Sequence, residues 1–206
     1  MPGSDGPGRG TRARGGGRNT RSAATTGPAG QDGAGRARPV DEAARAKEIC
    51  LNLLTARPRT RAQLHQALLR KGISADVADQ VLARLDEVGL IDDAAFAEVW
   101  VRSRHTYQGL GRRALAAELH RKGVDDELVA EAVAAVDEEA EEHRARQLVR
   151  KRLRAMGAAD EATKIRRLVG TLARKGYGEG LAYRVVRDEL RLAGEQADEL
   201  DQATWD

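Results

Sequence analysis

Apolar residues recur along this chain as pairs four apart, and three such pairs end on the same tripeptide. Leu64 and Leu68 precede Arg70-Lys71-Gly72, Leu115 and Leu119 precede Arg121-Lys122-Gly123, and Leu168 and Leu172 precede Arg174-Lys175-Gly176. The three arginines stand 51 and 53 residues apart. Beyond each tripeptide the pattern continues, with Ile73, Val124 and Tyr177, then Val77, Leu128 and Leu181, then Leu82, Val133 and Val186. Leucines four apart share one helix face, and a glycine after them suits the left-handed residue that ends a helix. Ser74, Asp125 and Gly178 then stand where a new helix opens, a position that favours Ser and Asp and tolerates Gly. The spacing therefore predicts a helix, a short turn and a second helix in every repeat.

A third helix is predicted ahead of each pair. The first covers Ala46 to Thr55 with Ile49, Cys50, Leu53 and Leu54 inward, and the next Ala94 to Arg104 with Phe96, Trp100 and Val101. The last spans about Asp137 to Arg154. The expected fold is all-α: three tandem three-helix modules in an elongated, curved array. Residues 41–91, 92–136 and 137–192 are the expected modules, between a disordered tail (1–40) and an acidic C-terminal tail (193–206). A module of about 50 residues buries little surface alone, so neighbours are expected to support one another.

Composition fits helices with narrow apolar stripes. Hydrophobic residues make up 41% and charged residues 33%, there are only five prolines, and no Val/Ile-rich alternating run suggests a sheet. Met1 to Pro39 is a different material, rich in Gly, Arg, Pro, Ser and Thr and without an aromatic residue. It cannot bury enough surface to offset the entropy of ordering. It also lacks the apolar core of a signal peptide, and no run of about 18 apolar residues is present to span a membrane. A soluble, cytoplasmic monomer is expected. The single cysteine, Cys50, falls in the apolar stripe of the first helix and reads as a small buried hydrophobe.

Net charge of +3 hides a strong segmentation. Seven arginines against two aspartates leave residues 1–40 at +5, and residues 41–75 carry +4. Residues 76–142 fall to −10, residues 143–191 rise to +9, and residues 192–206 end at −5. The acidic middle and the basic third module are expected to meet different partners. Candidate contacts to phosphates or to an acidic protein face are Arg144, Arg146, Arg150, Lys151, Arg152 and Arg154, followed by Lys164, Arg166, Arg167, Arg174 and Lys175. Arg102, Arg104, Arg112 and Arg113 add candidates in the central module.

Catalytic chemistry finds no support. His65, His105, His120 and His143 lie in different predicted helices, and none has metal-site spacing or a cysteine partner. There is no Gly-x-Ser-x-Gly or Walker loop, and Gly109-Leu110-Gly111 lacks the rest of a phosphate-binding fingerprint. Asp92-Asp93 reads as a helix start and Thr60-Arg61-Ala62-Gln63 as a capping box. No catalytic, cofactor or metal site is expected, and the chain reads as a binding protein.

One ordered set of residues resembles a known family. Gly89-Leu90-Ile91-Asp92-Asp93, Phe96-Ala97, Trp100, Arg104, Gly109-Leu110-Gly111 and Leu119-His120-Arg121-Lys122-Gly123-Val124 are similar to the signature of RecX regulatory proteins. Leu53-Leu54, Arg57, Arg59-Thr60 and Leu64 precede it, and Arg174-Lys175-Gly176-Tyr177 follows, so the resemblance covers about residues 43–190. It implies regulation of homologous recombination. Such a protein binds RecA, lies along the groove of the RecA–DNA filament, and suppresses its ATPase and strand exchange. Weak direct DNA binding through the basic parts is compatible with that role. A helix-turn-helix DNA regulator is the competing class. Against it, the central module is acidic and no helix gathers the Arg, Asn and Gln residues of a recognition helix. Six aromatic residues are too few for a base-stacking platform.

Overall fold

The computed structural model describes residues 39–157 and 159–203 of the chain. Among them the secondary structure is helical throughout, without a strand. The first module holds α1 (Pro39–Ala56), α2 (Arg61–Arg70) and α3 (Ala75–Glu87). The second holds α4 (Asp93–Ser103), a π-helical turn (Arg104–Gln108), α5 (Arg112–Arg121) and α6 (Asp126–Ala134). The third holds α7 (Glu138–Leu153), α8 (Glu161–Arg174) and α9 (Glu179–Ala203). Helices pack chiefly inside their own module, α1 with α2 and α3, α4 and α5 with α6, and α7 and α8 with α9.

Each module has its own core, and the leucine pairs form its centre. Leu64, Leu68, Leu115, Leu119 and Leu172 are fully buried and Leu168 nearly so. Fully burying such a side chain contributes about 1.5–3 kcal/mol. Ile73, Val124 and Tyr177, the first apolar residues past each turn, fold back into the same three cores. Cys50 is buried in the first, where desolvation raises its thiol pKa, in keeping with a packing role.

The repeated tripeptide closes its helix in the same way three times. The glycines take the left-handed conformation, at φ 79° for Gly72, 75° for Gly123 and 84° for Gly176. The N–H groups of Ile73, Val124 and Tyr177 donate to the carbonyls of Leu68, Leu119 and Leu172 at 3.1, 3.2 and 3.1 Å. These bonds satisfy helix-end carbonyls that would otherwise lack partners, the Schellman arrangement. Helix starts follow the sequence as well. Thr60 forms the complete capping box with Gln63, and Asp92 Oδ1 accepts from Ala95 N–H at 2.7 Å.

Three helix limits differ from the expectation. Helix α1 starts at Pro39 rather than near Ala46, because proline suits a first turn and Asp41 and Glu42 complement the helix N-terminus. This takes Pro39 and Val40 out of the segment expected to be disordered, whose other residues lie outside the described ones. Helix α4 does not end cleanly at Arg104 but widens into the π turn, which closes at Gly109 with φ 62°. Helix α9 runs to Ala203, into the stretch set apart as an acidic tail, with Arg191 and Glu195 paired at 2.7 Å one turn apart.

Candidate interaction surface

The tripeptides do more than end helices. At the first junction between modules, the turn carrying Lys122 and Gly123 lies against the N-terminus of α2. Thr60 Oγ1 donates to the Lys122 carbonyl at 2.6 Å, and Arg61 N–H donates to Asp93 Oδ1 at 2.9 Å. A Cβ on Gly123 would come within 2.4 Å of Ala62 Cβ, so the turn approaches closely because residue 123 has no side chain. At the second junction the turn carrying Lys175 and Gly176 lies against the N-terminus of α5. Gly111 N–H donates to the Lys175 carbonyl at 2.8 Å, and Arg112 N–H donates to Glu141 Oε1 at 2.8 Å. A Cβ on Gly176 would meet the Ala114 backbone nitrogen at 2.3 Å. In both cases a carboxylate from the next module's first helix accepts one of the N–H groups that a helix start leaves unpaired. Asp93 is thus more than part of a helix start. Burial raises its carboxyl pKa, an effect opposed by the Arg61 N–H bond.

The second junction has additional bonds, all to carbonyls around the π turn. Arg144 Nη2 donates to the Thr106 carbonyl at 2.5 Å, Lys175 Nζ to that of Gln108 at 2.5 Å, and Tyr177 Oη to that of Gly109 at 3.1 Å. Burial pushes the Tyr177 phenol well above its ordinary pKa, so its hydroxyl keeps the proton it donates.

These contacts sort the expected binding residues into two groups. The first is engaged within the fold. Arg144 and Lys175 hold the π turn, Arg104 Nε lies 3.2 Å from Glu118 Oε2, and Arg146 pairs with Glu142 at 2.5 Å. Arg150 forks onto the buried Glu189 at 2.7 and 2.9 Å, a bidentate bond that ties α7 to α9. Arg184, not expected from the sequence, also reaches Glu142 at 2.7 Å, and that bond with Arg146 nearby lowers the Glu142 pKa. The second group has no ion-pair partner among the described residues. Lys151, Arg152 and Arg154 at the end of α7 are exposed, as are Arg166 and Arg167 on α8, with Lys164 half-buried beside them. Arg102, Arg112, Arg113 and Arg174 belong with them by the same measure, although Arg174 makes a long 3.4 Å hydrogen bond to Thr171. Arg113 and Arg174 line one cleft between the second and third modules, beside the exposed Tyr183.

A second surface, of which only Arg104 belongs to the expected set, lies at the first junction. Phe96, Trp100 and Arg104 succeed one another at four-residue spacing, with the two rings stacked at 5.6 Å and the guanidinium 4.2 Å from the Trp100 ring centre. Lys122 Nζ lies 3.7 Å from the same centre, and Trp100 Nε1 donates to Glu118 Oε2 at 2.7 Å. Phe96 and Trp100 are only partly buried, so they sit at the edge of the second core rather than inside it. They wall a groove of about 410 Å³ with Leu54, Leu90 and Val99, bordered by Arg57 and Arg59. In the sequence the spacing of Phe96 and Trp100 reads as core of the second module; the structure packs both against that core only partly buried. Their partial exposure, with Lys122 over the Trp100 ring, marks the edge.

Among the described residues no group of three or more His, Cys, Asp or Glu residues is placed to hold a metal ion. No described helix is long and apolar enough to cross a membrane. Three similar helical modules, docked by a repeated turn and presenting unpaired cations, define a helical-repeat protein with the means for partner binding. Family models described as the first, second and third three-helix domains of RecX match residues 46–85, 92–133 and 139–186. The chain is 55% identical over 168 residues to the regulatory protein RecX of Amycolatopsis mediterranei, covering 82% of this chain and 96% of that one. It is 54% identical over 171 residues to that of Thermobifida fusca, covering 82% and 92%. The crystal structure of RecX from Lactobacillus salivarius shares the fold at TM-score 0.68 and 21% identity, covering 73% of this chain and 97% of that one. This chain belongs to the RecX family.

Proposed function

We propose that this protein regulates RecA, chiefly as an inhibitor. It binds along the groove of the RecA–DNA filament and suppresses ATP hydrolysis and strand exchange. The carrying observation is the ordered match of all three RecX domains, supported by close relatives named as RecX regulatory proteins. The physical features suit such work. Modules with separate cores can each meet successive protomers of a filament, and segmented charge fixes direction along it. Lys151, Arg152, Arg154, Lys164, Arg166 and Arg167, whose charges are not used inside the fold, are the proposed contacts of the third module.

The test is RecA ATP hydrolysis on single-stranded DNA, titrated with the full chain in the cytoplasmic range of salt. Inhibition at fewer than one molecule per RecA protomer is the expected result. The same unpaired cations support a second reading, direct binding to DNA phosphates. In that case the protein shifts bare DNA, its affinity falls steeply with salt, and ATP hydrolysis by RecA is unaffected when DNA is in excess.

A further inference from the structure

We infer that the groove at the first junction is a docking site for an acidic segment of the RecA filament that carries a large apolar side chain. The inference rests on the RecA reading above and adds the chemistry of the partner. The floor is apolar and open, with Val99 at 61% and Leu90 at 49% exposure. A volume of about 410 Å³ is room for one or two large side chains, not for a folded element.

The border of the groove carries two cations, Arg57 and Arg59, against one carboxylate, Asp92. Burial lowers the pKa of Lys122, Glu118 opposes this, and Arg104, Arg57 and Arg121 nearby lower it further. Two carboxylates of this region are hydrogen-bonded within the fold. Glu118 accepts from the Trp100 indole and pairs with Arg104, and Asp92 caps α4 through Ala95 N–H. Arg59 Nε is sealed from solvent and has no hydrogen-bond partner among the described residues. Arg59 also borders the groove, so a carboxylate seated there meets its guanidinium charge without needing that sealed atom.

A nucleic acid fits less well. Base stacking needs an open aromatic face. Phe96, Arg104 and Lys122 already crowd the Trp100 ring, and its N–H is bonded to Glu118. What remains open is aliphatic, Leu54, Leu90 and Val99, which suits an apolar side chain flanked by carboxylates.

The experiment compares the full-length wild type with Val99→Asp and Val99→Lys for binding to RecA filaments on single-stranded DNA, held with a non-hydrolysable ATP analogue. Val99 is exposed on a helix, so both variants fold, which thermal melting verifies. The expected result is a loss of at least tenfold in affinity for Val99→Asp, with Val99→Lys within about threefold of wild type, since like charge in the groove repels and unlike charge does not. Equal binding by wild type and Val99→Asp overturns the inference and leaves the RecA reading standing. Equal loss in both variants overturns the acidic chemistry. If Val99→Asp weakens binding to bare single-stranded DNA as much as to the filament, the groove is a nucleic-acid surface and the inference is wrong. Failure of the wild type to bind filaments removes the RecA reading itself, and the inference with it.

Discussion

The two junctions between modules are built to one plan and finished differently. In both, a Lys-Gly turn lies on a helix start, the lysine carbonyl accepts a hydrogen bond there, and a carboxylate from the next module takes an unpaired helix N–H. At the second junction the π turn then presents carbonyls to Arg144, Lys175 and Tyr177. At the first there is no comparable clasp among the described residues, and an apolar groove walled by Phe96 and Trp100 lies there instead. The difference teaches that one repeated turn sets how modules dock, while the residues around it decide whether a junction is closed by polar bonds or left with a binding surface. The turn in the first module supports this view. With no described module ahead of it, the Lys71 carbonyl is taken by Arg45 at 3.2 Å, and a Cβ at Gly72 would meet only open space.

The largest effects are expected from substituting the three glycines in parallel. Each alanine must adopt a left-handed backbone, costing about 1 kcal/mol. For Gly72→Ala that is the whole effect. Gly123→Ala adds a clash with the single methyl of Ala62, and Gly176→Ala a clash with the Ala114 backbone as well as its methyl. Overpacking of this kind costs about 1–3 kcal/mol more. Urea denaturation should therefore rank the losses Gly176→Ala, Gly123→Ala, Gly72→Ala, from about 4 down to about 1 kcal/mol. Equal losses at all three would mean that the turns end helices and do not dock modules.

Thr60→Val is expected to come next. It removes the cap of α2, worth about 1 kcal/mol, and the bond to Lys122, worth about another. Thr60→Ser keeps both oxygen contacts and should lose well under half as much. If valine and serine are equally tolerated in melting experiments, the hydroxyl does not join the first two modules.

How much of this was visible in the sequence depends on whether the information is local. Leu64, Leu115 and Leu168 declare a helix face by spacing alone, and Gly72, Gly123 and Gly176 declare its end, because helix periodicity and left-handed backbone are properties of neighbouring residues. Thr60 and Asp92 were legible as caps for the same reason. The second contacts of Thr60 and Asp93, which cross between modules, were not, since nothing near residue 60 announces that Lys122 lies above it. The basic run of α7 shows the same limit. Arg150, Lys151 and Arg152 look equivalent in sequence, yet only the first has Glu189 opposite, 39 residues away. The π turn was missed because its widening exposes carbonyls that matter only when the third module is there to bond them.

At the second junction, Tyr177→Phe should cost about 1–2 kcal/mol, because the Gly109 carbonyl then stays buried without its donor. The pH dependence sharpens the test. Burial raises the phenol's folded pKa above its unfolded value near 10, so its contribution is fully present below about pH 10 and is lost as pH climbs toward the folded value. Wild type minus Tyr177→Phe, measured as a stability difference, should be flat through neutral pH and shrink only in strong alkali. A difference that already falls near neutrality would mean that another group carries the effect.

The smallest stability effect separates cations that close a junction from cations left for a partner. Lys175 and Lys151 sit in the same basic module, but Lys175 bonds the Gln108 carbonyl while Lys151 is exposed and has no partner among the described residues. Lys175→Met should lose somewhat less than about 1 kcal/mol, since the bond lies at the surface and water competes for both ends. Lys151→Met should change stability by less than about 0.5 kcal/mol in either direction. Inhibition of RecA ATP hydrolysis should rank them the other way, with Lys151→Met, alone or with Arg152→Ser, weakening it at concentrations where Lys175→Met is still near wild type. A variant at Lys175 that keeps full stability yet loses inhibition would transfer that lysine from the clasp to the binding surface. The distinction between the two junctions would then rest on Tyr177 and Arg144 alone.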